Sequence, residues 1–356
     1  MEGAMIRVAA LTSGKNMPSS RFRVRQHIEP LRKAGFDVRE YTPAIDKYAR
    51  FPGISQAESP KYIWPIYTLW QGVKLLTRVP GVMGSWKAQI TWLERELLPG
   101  CLTLEPLLKR PYVFDVDDAI WLTHPFGRST VIKIAKGAEV VLAGNAYIAD
   151  WFSSHARDIR IVPTAIDTER FLPRRSSDIP NNKHFVIGWT GLSSNFTYIY
   201  EIERALEDFL KNHDAELLVI ADQPPSFRRL RPEWVQYIKW SPAVEAQAVR
   251  QMDVGLMPLP NDDWSRGKCS FKMLQYMASG VPVVVSPVGM NAEILSMDKV
   301  GFPAKSEADW YDSLDQLYKD RDLGIKCGAT GRFIVEQHFS RSVVSAKIAK
   351  VFKELA

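Results

Sequence analysis

Residues 266–295, RGKCSFKMLQYMASGVPVVVSPVGMNAEIL, decide the fold. Ser270 stands where a helix N-cap belongs, and Phe271, Leu274 and Met277/Ala278 recur at helical spacing. Gly280 then offers a left-handed stop, with Pro282 just beyond it. VPVVVS follows, a compact β-branched run of the kind that a parallel sheet buries on both faces. Upstream, Val254–Leu259 is a second such run, closed by Pro-Leu-Pro. The order is therefore strand, loop, helix, strand, and the loop carries Arg266, Gly267 and Lys268. A helix start offers N–H groups and a positive dipole end. Lys268 and Lys272 add point charge, and the spacing puts them with Gln275/Tyr276 on one face, away from the apolar stripe. That pattern suits a cradle for a diphosphate. A solvated lysine face on an ordinary α/β helix fits it equally well.

The segment resembles the nucleotide-sugar-binding part of glycosyltransferase family 4, a retaining group with the GT-B architecture. Matching pieces run over nearly the whole chain: Val186–Gly191, Asp253–Pro258, Phe271–Val284 and Pro163–Asp167. The resemblance implies an α/β protein of two Rossmann-like domains facing a cleft. It departs from the family at two points. After Gly191, Leu192-Ser-Ser-Asn195 stands where many relatives carry an Arg and a Lys that grip the diphosphate, so that charge must come from Arg266, Lys268 or Lys272. The other lies in the deciding segment. Two glutamates with seven residues between them are common there, and Gly267 and Gln275 stand in their places. Gln275 keeps hydrogen-bonding capacity for a ribose hydroxyl, whereas Gly267 has no side chain to reach a sugar. The branch with a Gly-Lys-x-x-Phe-Lys loop is closer, and its lysine takes over part of that work. On the donor side the resemblance implies Thr190, Gly191, Arg266, Ser270, Phe271, Lys272, Gln275 and Glu293, with Lys268 as a catalytic group. His124 is similar in place to a cleft histidine directed at the donor sugar; a surface histidine fits as well.

Length and composition agree with that frame. A chain of 356 residues favours two domains, each with its own core. No run of eighteen apolar residues appears, and the first residues lack a signal-peptide pattern, so a cytoplasmic location is expected. Three scattered cysteines and six scattered histidines offer no metal spacing, so neither a metal nor a cofactor is expected. The net charge of +6 suits phosphorylated small molecules or an anionic membrane surface. Nucleic acid is not expected, because the basic residues form no stripe and no nucleic-acid-binding motif is present.

Ile6–Leu11, a loop over 12–20, a helix over about 22–34 and a strand over 37–41 make a Rossmann-like opening without GxGxxG. A dinucleotide is therefore not indicated. The loop lies where open sheets bind ligands, so Ser13, Gly14, Ser19, Ser20, Arg21 and Arg23 are candidates to meet acceptor or donor, with Ser13, Gly14 and Arg21 assigned to the acceptor side; a polar loop leading into a basic helix face fits equally well. Residues 61–87 mix Trp and Tyr with Lys and Arg. A helix there puts Trp64, Tyr67, Trp70, Val73 and Leu76 on one side, with Lys74 and Arg78 outside. Such a face suits an anionic bilayer or packing on its own domain.

Tyr112–Asp115 leads into Asp115, Asp117 and Asp118, with Arg95 at the end of an adjacent strand. The cluster fits four uses: a metal site, the nucleophile and acid of a haloacid-dehalogenase phosphatase, the orientation of an acceptor hydroxyl, or a salt-bridge node with Arg95. Acceptor-side or structural use is preferred for Arg95 and Asp117, and Asp118 joins Lys268 and His124 among the catalytic candidates. Trp240 suits a nucleobase contact or the core. The polar stretch 174–183 reads as a linker, giving domains at 1–173 and 174–340, with a last helix over 341–356 returning to the first. The expected activity is retaining, metal-independent glycosyl transfer from a nucleoside-diphosphate sugar to a glycan or lipid-linked acceptor, at the inner face of a membrane. A catalytically idle nucleotide-sugar-binding homologue and a metal-dependent phosphohydrolase using Asp115 and Asp117 are the alternatives.

Overall fold

The computed structural model describes residues 5–51, 60–174 and 184–356. The chain forms two compact units, Met1–Ala165 with Val344–Ala356, and Ile166–Val343. The second unit thus begins before the polar linker, of which 175–183 lie outside the described residues. The reason is local. Ile166 is bridged to Ser340, and Arg332 donates to the carbonyls of Thr168 and Phe171, so 166–173 are fastened to the second unit.

The first unit runs β1 (Ile6–Leu11), α1 (Ile28–Lys33), β2 (Phe36–Tyr41), α2 (Pro60–Leu76), α3 (Val79–Ser85), β3 (Ile90–Glu94), β4 (Tyr112–Val116), α4 (Gly127–Gly137), β5 (Val140–Ala143), α5 (Ala146–Phe152) and β6 (Ile159–Ile161). Its six strands are all parallel, in the order β2-β1-β3-β4-β5-β6. β3, β4 and β5 are buried along their whole length, as continuous apolar runs require. The chain leaves β1 for β2 on one side and later returns to β3 on the other. The crevice at the carboxyl ends of β1 and β3 is therefore the place where such a sheet receives ligands.

The second unit runs β7 (Phe185–Gly191), α6 (Phe196–Tyr200), α7 (Glu203–Asn212), β8 (Ala215–Ala221), β9 (Val235–Lys239), α8 (Glu245–Val249), β10 (Val254–Met257), α9 (Asp263–Arg266), α10 (Phe271–Ala278), β11 (Val283–Val285), α11 (Met290–Met297), β12 (Gly301–Pro303), α12 (Glu307–Lys319) and α13 (Arg321–Ile334). The strand order is β12-β11-β10-β7-β8-β9, again parallel, so its switch point lies between β7 and β10. The last helix, α14 (Arg341–Leu355), completes the first unit. Val344, Ile348 and Phe352 enter its core, and the Phe352 ring meets Phe36 and Trp92 edge-on at 5.6 and 5.3 Å.

Two of the expected helices are broken. The helix expected over 22–34 is a π-turn, a 3-10 turn and α1: Pro30, in the first turn of α1, has no N–H to return to the Gln26 carbonyl, and in the turn before it the Gln26 side chain donates to the Phe22 carbonyl. The aromatic-basic segment is two helices, and its expected polarity is reversed. Lys74 and Arg78 are buried, whereas Leu69, Val73 and Leu76 are exposed. Lys74 donates to the Lys47 carbonyl and Arg78 to those of Thr12, Ser13 and Ile45, and these contacts draw both inward. Trp70 is held by the Ala49 carbonyl and the Phe51 ring. The side chains of Trp64 and Tyr67 lie outside the described residues.

Candidate active site

At the second unit's switch point, β7 ends in Thr190–Gly191 and α10 starts beside it. Ser270 precedes α10 in the left-handed region, at φ +51° and ψ 27°. This conformation costs a non-glycine residue roughly 1–2 kcal/mol. It also turns the hydroxyl away from the helix, so the expected side-chain cap is not made. Instead Ser270 Oγ donates to Asn291 Oδ1 at 2.6 Å, and Asn291 Nδ2 donates to the Ser286 carbonyl at 3.1 Å. Ser286 Oγ accepts the Leu259 N–H at 2.9 Å. This buried relay fixes the starts of α10 and α11 to the ends of β10 and β11. Gly289 completes it at φ +52°, where a Cβ would lie 2.6 Å from the Arg266 carbonyl oxygen. Only glycine lets that loop lie on the Arg266 backbone.

The basic groups gather on aromatic faces. Lys268 Nζ lies 5.0 Å from the Trp264 ring centre and 5.6 Å from that of Tyr198. Lys272 Nζ lies 5.5 Å from the Trp189 ring centre, and its stem crosses Gly191, where a Cβ would come within 2.7 Å of Lys272 Cε. Both ammonium groups are held by ring quadrupoles at the carboxyl end of the sheet. Arg266 donates to Asn261 and Asp263, and Phe271 is partly buried in the first turn of α10. Glu293 lies in the first turn of α11, with its carboxyl pushed up by partial desolvation.

Gln275 and Tyr276 do not share an exposed face with the lysines. Both are buried, because α10 is enclosed by the sheet and by α13, leaving only its first turn accessible. Tyr276 Oη accepts the Thr190 N–H at 3.0 Å and donates to the Leu256 carbonyl at 3.2 Å, which bridges β7 and β10 where they part. Gly255 makes room for that ring: a Cβ there would meet it at 2.2 Å. Gln275 Nε2 donates to Glu245 Oε1 at 2.8 Å; the same carboxylate accepts Trp240 Nε1 and Arg170 Nη2.

In the first unit, β3 ends in Glu94-Arg95-Glu96. Arg95 is a left-handed non-glycine residue, at φ +57°. Its Nε donates to Asp117 Oδ1 at 2.6 Å and its Nη2 to Asp118 Oδ2 at 2.5 Å. Burial opposes the charge on Arg95, yet the two carboxylates raise its pKa well above the ordinary value, and Asp117 is lowered in turn. Asp115 has a different partner. Arg23 Nε and Nη2 both donate to its Oδ1, at 2.8 and 2.7 Å, and Trp92 Nε1 donates to its Oδ2 at 3.0 Å. Burial nevertheless pushes the Asp115 carboxyl up to about 6. The expected single salt-bridge node is thus two nodes, and the reason is topological: Arg23 enters from the loop after β1, whereas Arg95 reaches forward past β4. Among the described residues no group of three or more His, Cys, Asp or Glu is arranged to hold a metal.

The Ser13 N–H donates to Glu94 Oε2 at 2.8 Å, and Ser20 Oγ donates to the same oxygen at 3.0 Å. Gly14 packs on Asp46, Arg21 lies over the Phe22 ring, and His124 is partly buried against Gly100.

Residues 186–320 match the family model described as Glycosyl transferases group 1. The chain is 24% identical over 255 residues to the GDP-mannose-dependent alpha-(1-6)-phosphatidylinositol monomannoside mannosyltransferase of Mycobacterium tuberculosis, in strains CDC 1551 / Oshkosh and ATCC 25618 / H37Rv. That match covers 64% of this chain and 65% of the relative, just under two thirds of the latter's length. Among solved structures, sucrose-phosphate synthase from Thermosynechococcus elongatus superposes with a TM-score of 0.71 at 12% identity, over 98% of this chain and 99% of that one. Anabaena HepE in complex with UDP and glucose gives 0.71 at 13% identity, over 98% and 100%. The fold is GT-B. By sequence the chain sides with enzymes that transfer glycosyl groups, and the matched stretch contains every donor-side candidate.

Within this GT-B frame the second unit brings Thr190, Gly191, Lys268, Ser270, Phe271 and Lys272 to one end of its sheet. Glu293 reaches the same end through Gly289 and Asn291. The first unit gathers Ser13, Arg95, Asp117 and Asp118 at the end of its own. The groups that sequence reasoning missed are the supports: Asn291, Ser286, the Tyr276 hydroxyl, Glu245 and Arg23 as the partner of Asp115. Asn291 lay inside the deciding stretch, two residues after a glycine. Nothing local announces the others.

Proposed function

We propose that the protein transfers a glycosyl group from a nucleoside-diphosphate sugar to a glycan or lipid-linked acceptor, with retention and without a metal ion. One observation carries this reading. Lys268, Lys272, Gly191 and the start of α10 converge at the β7/β10 switch point, held there by the Ser270–Asn291–Ser286 relay. An end of the sheet built this way presents two cations and a helix start to a ligand that grows more negative as it leaves. Stabilising charge on a departing diphosphate is the electrostatic task that such a preorganised site performs. Lys268 and Lys272 take the diphosphate, Gly191 lets it approach the backbone, and Glu293 reads hydroxyls of the sugar. The first unit's end, with Arg95, Asp117 and Asp118, presents the acceptor, and His124 is proposed as a further catalytic group. The glycosyl acceptor loses a hydroxyl proton as the new bond forms, and Asp118, the more exposed of the two carboxylates on Arg95, is the group proposed to accept it.

The phosphohydrolase alternative loses its nucleophile in this geometry. Both oxygens of Asp115 are engaged, by a guanidinium and an indole, in a position 1% exposed.

Calorimetric titration with UDP, GDP, ADP and TDP, with and without EDTA, tests the reading. Binding of one diphosphate that survives EDTA and weakens at least about tenfold in Lys268→Ala is the expected result, equivalent to 1.4 kcal/mol or more. Turnover of a nucleotide sugar undiminished in Lys268→Ala would sink it. Binding without any turnover would leave the idle homologue.

A further inference from the structure

The first unit holds a feature that the proposed donor site does not use. A cavity of about 220 Å³ opens at the carboxyl ends of β1 and β2, lined by Leu11, Thr12, Thr42, Pro43, Arg78 and Pro80 among others. Pockets for whole small molecules usually start near 300 Å³. This one is sized for a single chemical group.

Arg78 is 4% exposed, and its donors are poorly used. Nη1 reaches the Thr12 and Ser13 carbonyls at 3.3 and 3.4 Å, Nη2 reaches that of Ile45 at 3.4 Å, and Nε has no partner. One turn earlier, Lys74 is also 4% exposed and donates to a single carbonyl, that of Lys47, at 3.0 Å. Among the described residues neither is within ion-pair distance of a carboxylate. Desolvation lowers both pKa values, Arg78 to about 10, and the Arg78 charge lowers Lys74 further. Glu94, Asp46 and Glu105 act on Arg78 from longer range without offsetting its burial. Two cations one turn apart, buried and without a counter-ion, are costly to keep. Arg78 lines the cavity, and Lys74 lies one turn behind it, outside the lining.

We propose that this cavity binds a phosphate group beside the Arg78 guanidinium, whose Nη groups make only long contacts to backbone carbonyls, with the Lys74 charge acting from one turn behind the lining. A phosphate monoester carries about −1.5 to −2 at neutral pH and so matches two cations, which a single carboxylate does not. Arg also offers the planar fork that phosphate oxygens accept. Thr42 lies exposed at the rim of the cavity and adds a hydroxyl. The site stands on the first unit's own geometry and does not rest on the transferase reading.

The test uses the full chain with excess UDP and GDP, which occupy the proposed donor site. Glycerol 3-phosphate is titrated in, and vesicles of phosphatidylcholine with and without phosphatidic acid are tested in parallel. Arg78→Met removes the guanidinium but also frees the Thr12–Ser13 and Ile45 carbonyls. Ala44→Asp is therefore the decisive variant: Ala44 is an exposed lining residue, and a carboxylate there repels the ligand without touching those contacts. Phosphate affinity is expected to fall at least tenfold in Arg78→Met and Ala44→Asp, and to be unchanged in Ala44→Asn and Lys268→Ala. If Ala44→Asp removes binding to anionic vesicles, the phosphate is that of a lipid headgroup; if it removes only glycerol 3-phosphate, the phosphate is soluble. Phosphate binding that is absent, displaced by the nucleotides, or indifferent to Ala44→Asp overturns the proposal. Nucleotide binding is read in the same titrations, so failure here is separable from failure of the donor site.

Discussion

Asp115 shows how much a single side chain can owe to partners distant in sequence. Its carboxyl is pushed up to about 6 by burial even though Arg23 lies on one oxygen. An acid whose folded pKa exceeds its unfolded value, here about 3.8, holds its proton longer in the fold. Stability from this group is therefore lost as pH rises from about 3.8 to about 6, and the loss is complete above that window. Asp115→Asn has no such titration. The stability advantage of the natural chain over this variant is expected to shrink by roughly 1.5 kcal/mol between about pH 5 and pH 7, measured by denaturant unfolding. A gap that does not change with pH would mean the charge is not desolvated as described. Ser270 makes a second prediction at this scale. Ser270→Ala keeps the left-handed strain and leaves Asn291 Oδ1 without its buried donor, a loss of about 1–3 kcal/mol. Ser270→Gly also breaks the bond but relieves the strain, so it should destabilise less than alanine. The reverse order would show that the backbone strain, rather than the relay, is misassigned. Neither residue's role was legible. Serine before an apolar periodic run reads as a cap, and the hydroxyl's real partner lies across a loop, 21 positions on.

Elements were far more legible than their decoration, and the reason is physical. A strand buried on both faces must be apolar throughout, so Val140–Ala143 and Val283–Val285 declare themselves without reference to their neighbours. Gly280, at φ +67°, is the left-handed stop that its place between helix and strand implies. The faces of helices were harder. In α10 the polar positions Gln275 and Tyr276 look solvent-facing by spacing alone, yet Gln275 is turned to Glu245 of α8 and Tyr276 onto β7 and β10. At the end of α2 and the start of α3, Lys74 and Arg78 look outward by chemistry, and backbone carbonyls turn them in. Two glycines now separate the site's elements experimentally. At Gly191 an added Cβ meets the flexible end of Lys272 and the Trp189 ring, so Gly191→Ala displaces the lysine more than the backbone. At Gly289 it meets Arg266 backbone at 2.6–2.9 Å, in a positive-φ conformation. Gly191→Ala is expected to weaken diphosphate binding about tenfold with little change in melting temperature. Gly289→Ala should lose both binding and stability, the latter by about 1–3 kcal/mol. Equal melting losses in the two variants would contradict the assignment of backbone contact to one and side-chain contact to the other.

At the scale of the whole molecule, each unit has its own buried apolar cluster among the described residues, and the last helix joins that of the first. Phe352 is fully buried there, edge-on to Phe36 and Trp92, more than 250 positions from either, so no local pattern in the sequence names its partners. The second core, around Phe185, Phe209, Leu217 and Leu314, contains none of α14. A perturbation of one core and a ligand of the other should therefore act on different unfolding events. Phe352→Ala removes a buried aromatic and costs about 3–5 kcal/mol. Calorimetry of this variant should show one component lowered and the other where it was. A nucleoside diphosphate at 100 times its Kd adds about 2.7 kcal/mol to whatever unit binds it. It is expected to raise only the component that Phe352→Ala leaves in place. If the ligand raised the lowered component instead, the donor site would belong to the first unit, and the reading of Lys268 and Lys272 would fall with it. If both components moved together under either change, the two cores would unfold as one cooperative block, and stability effects measured at one sheet's end could no longer be assigned to that unit alone.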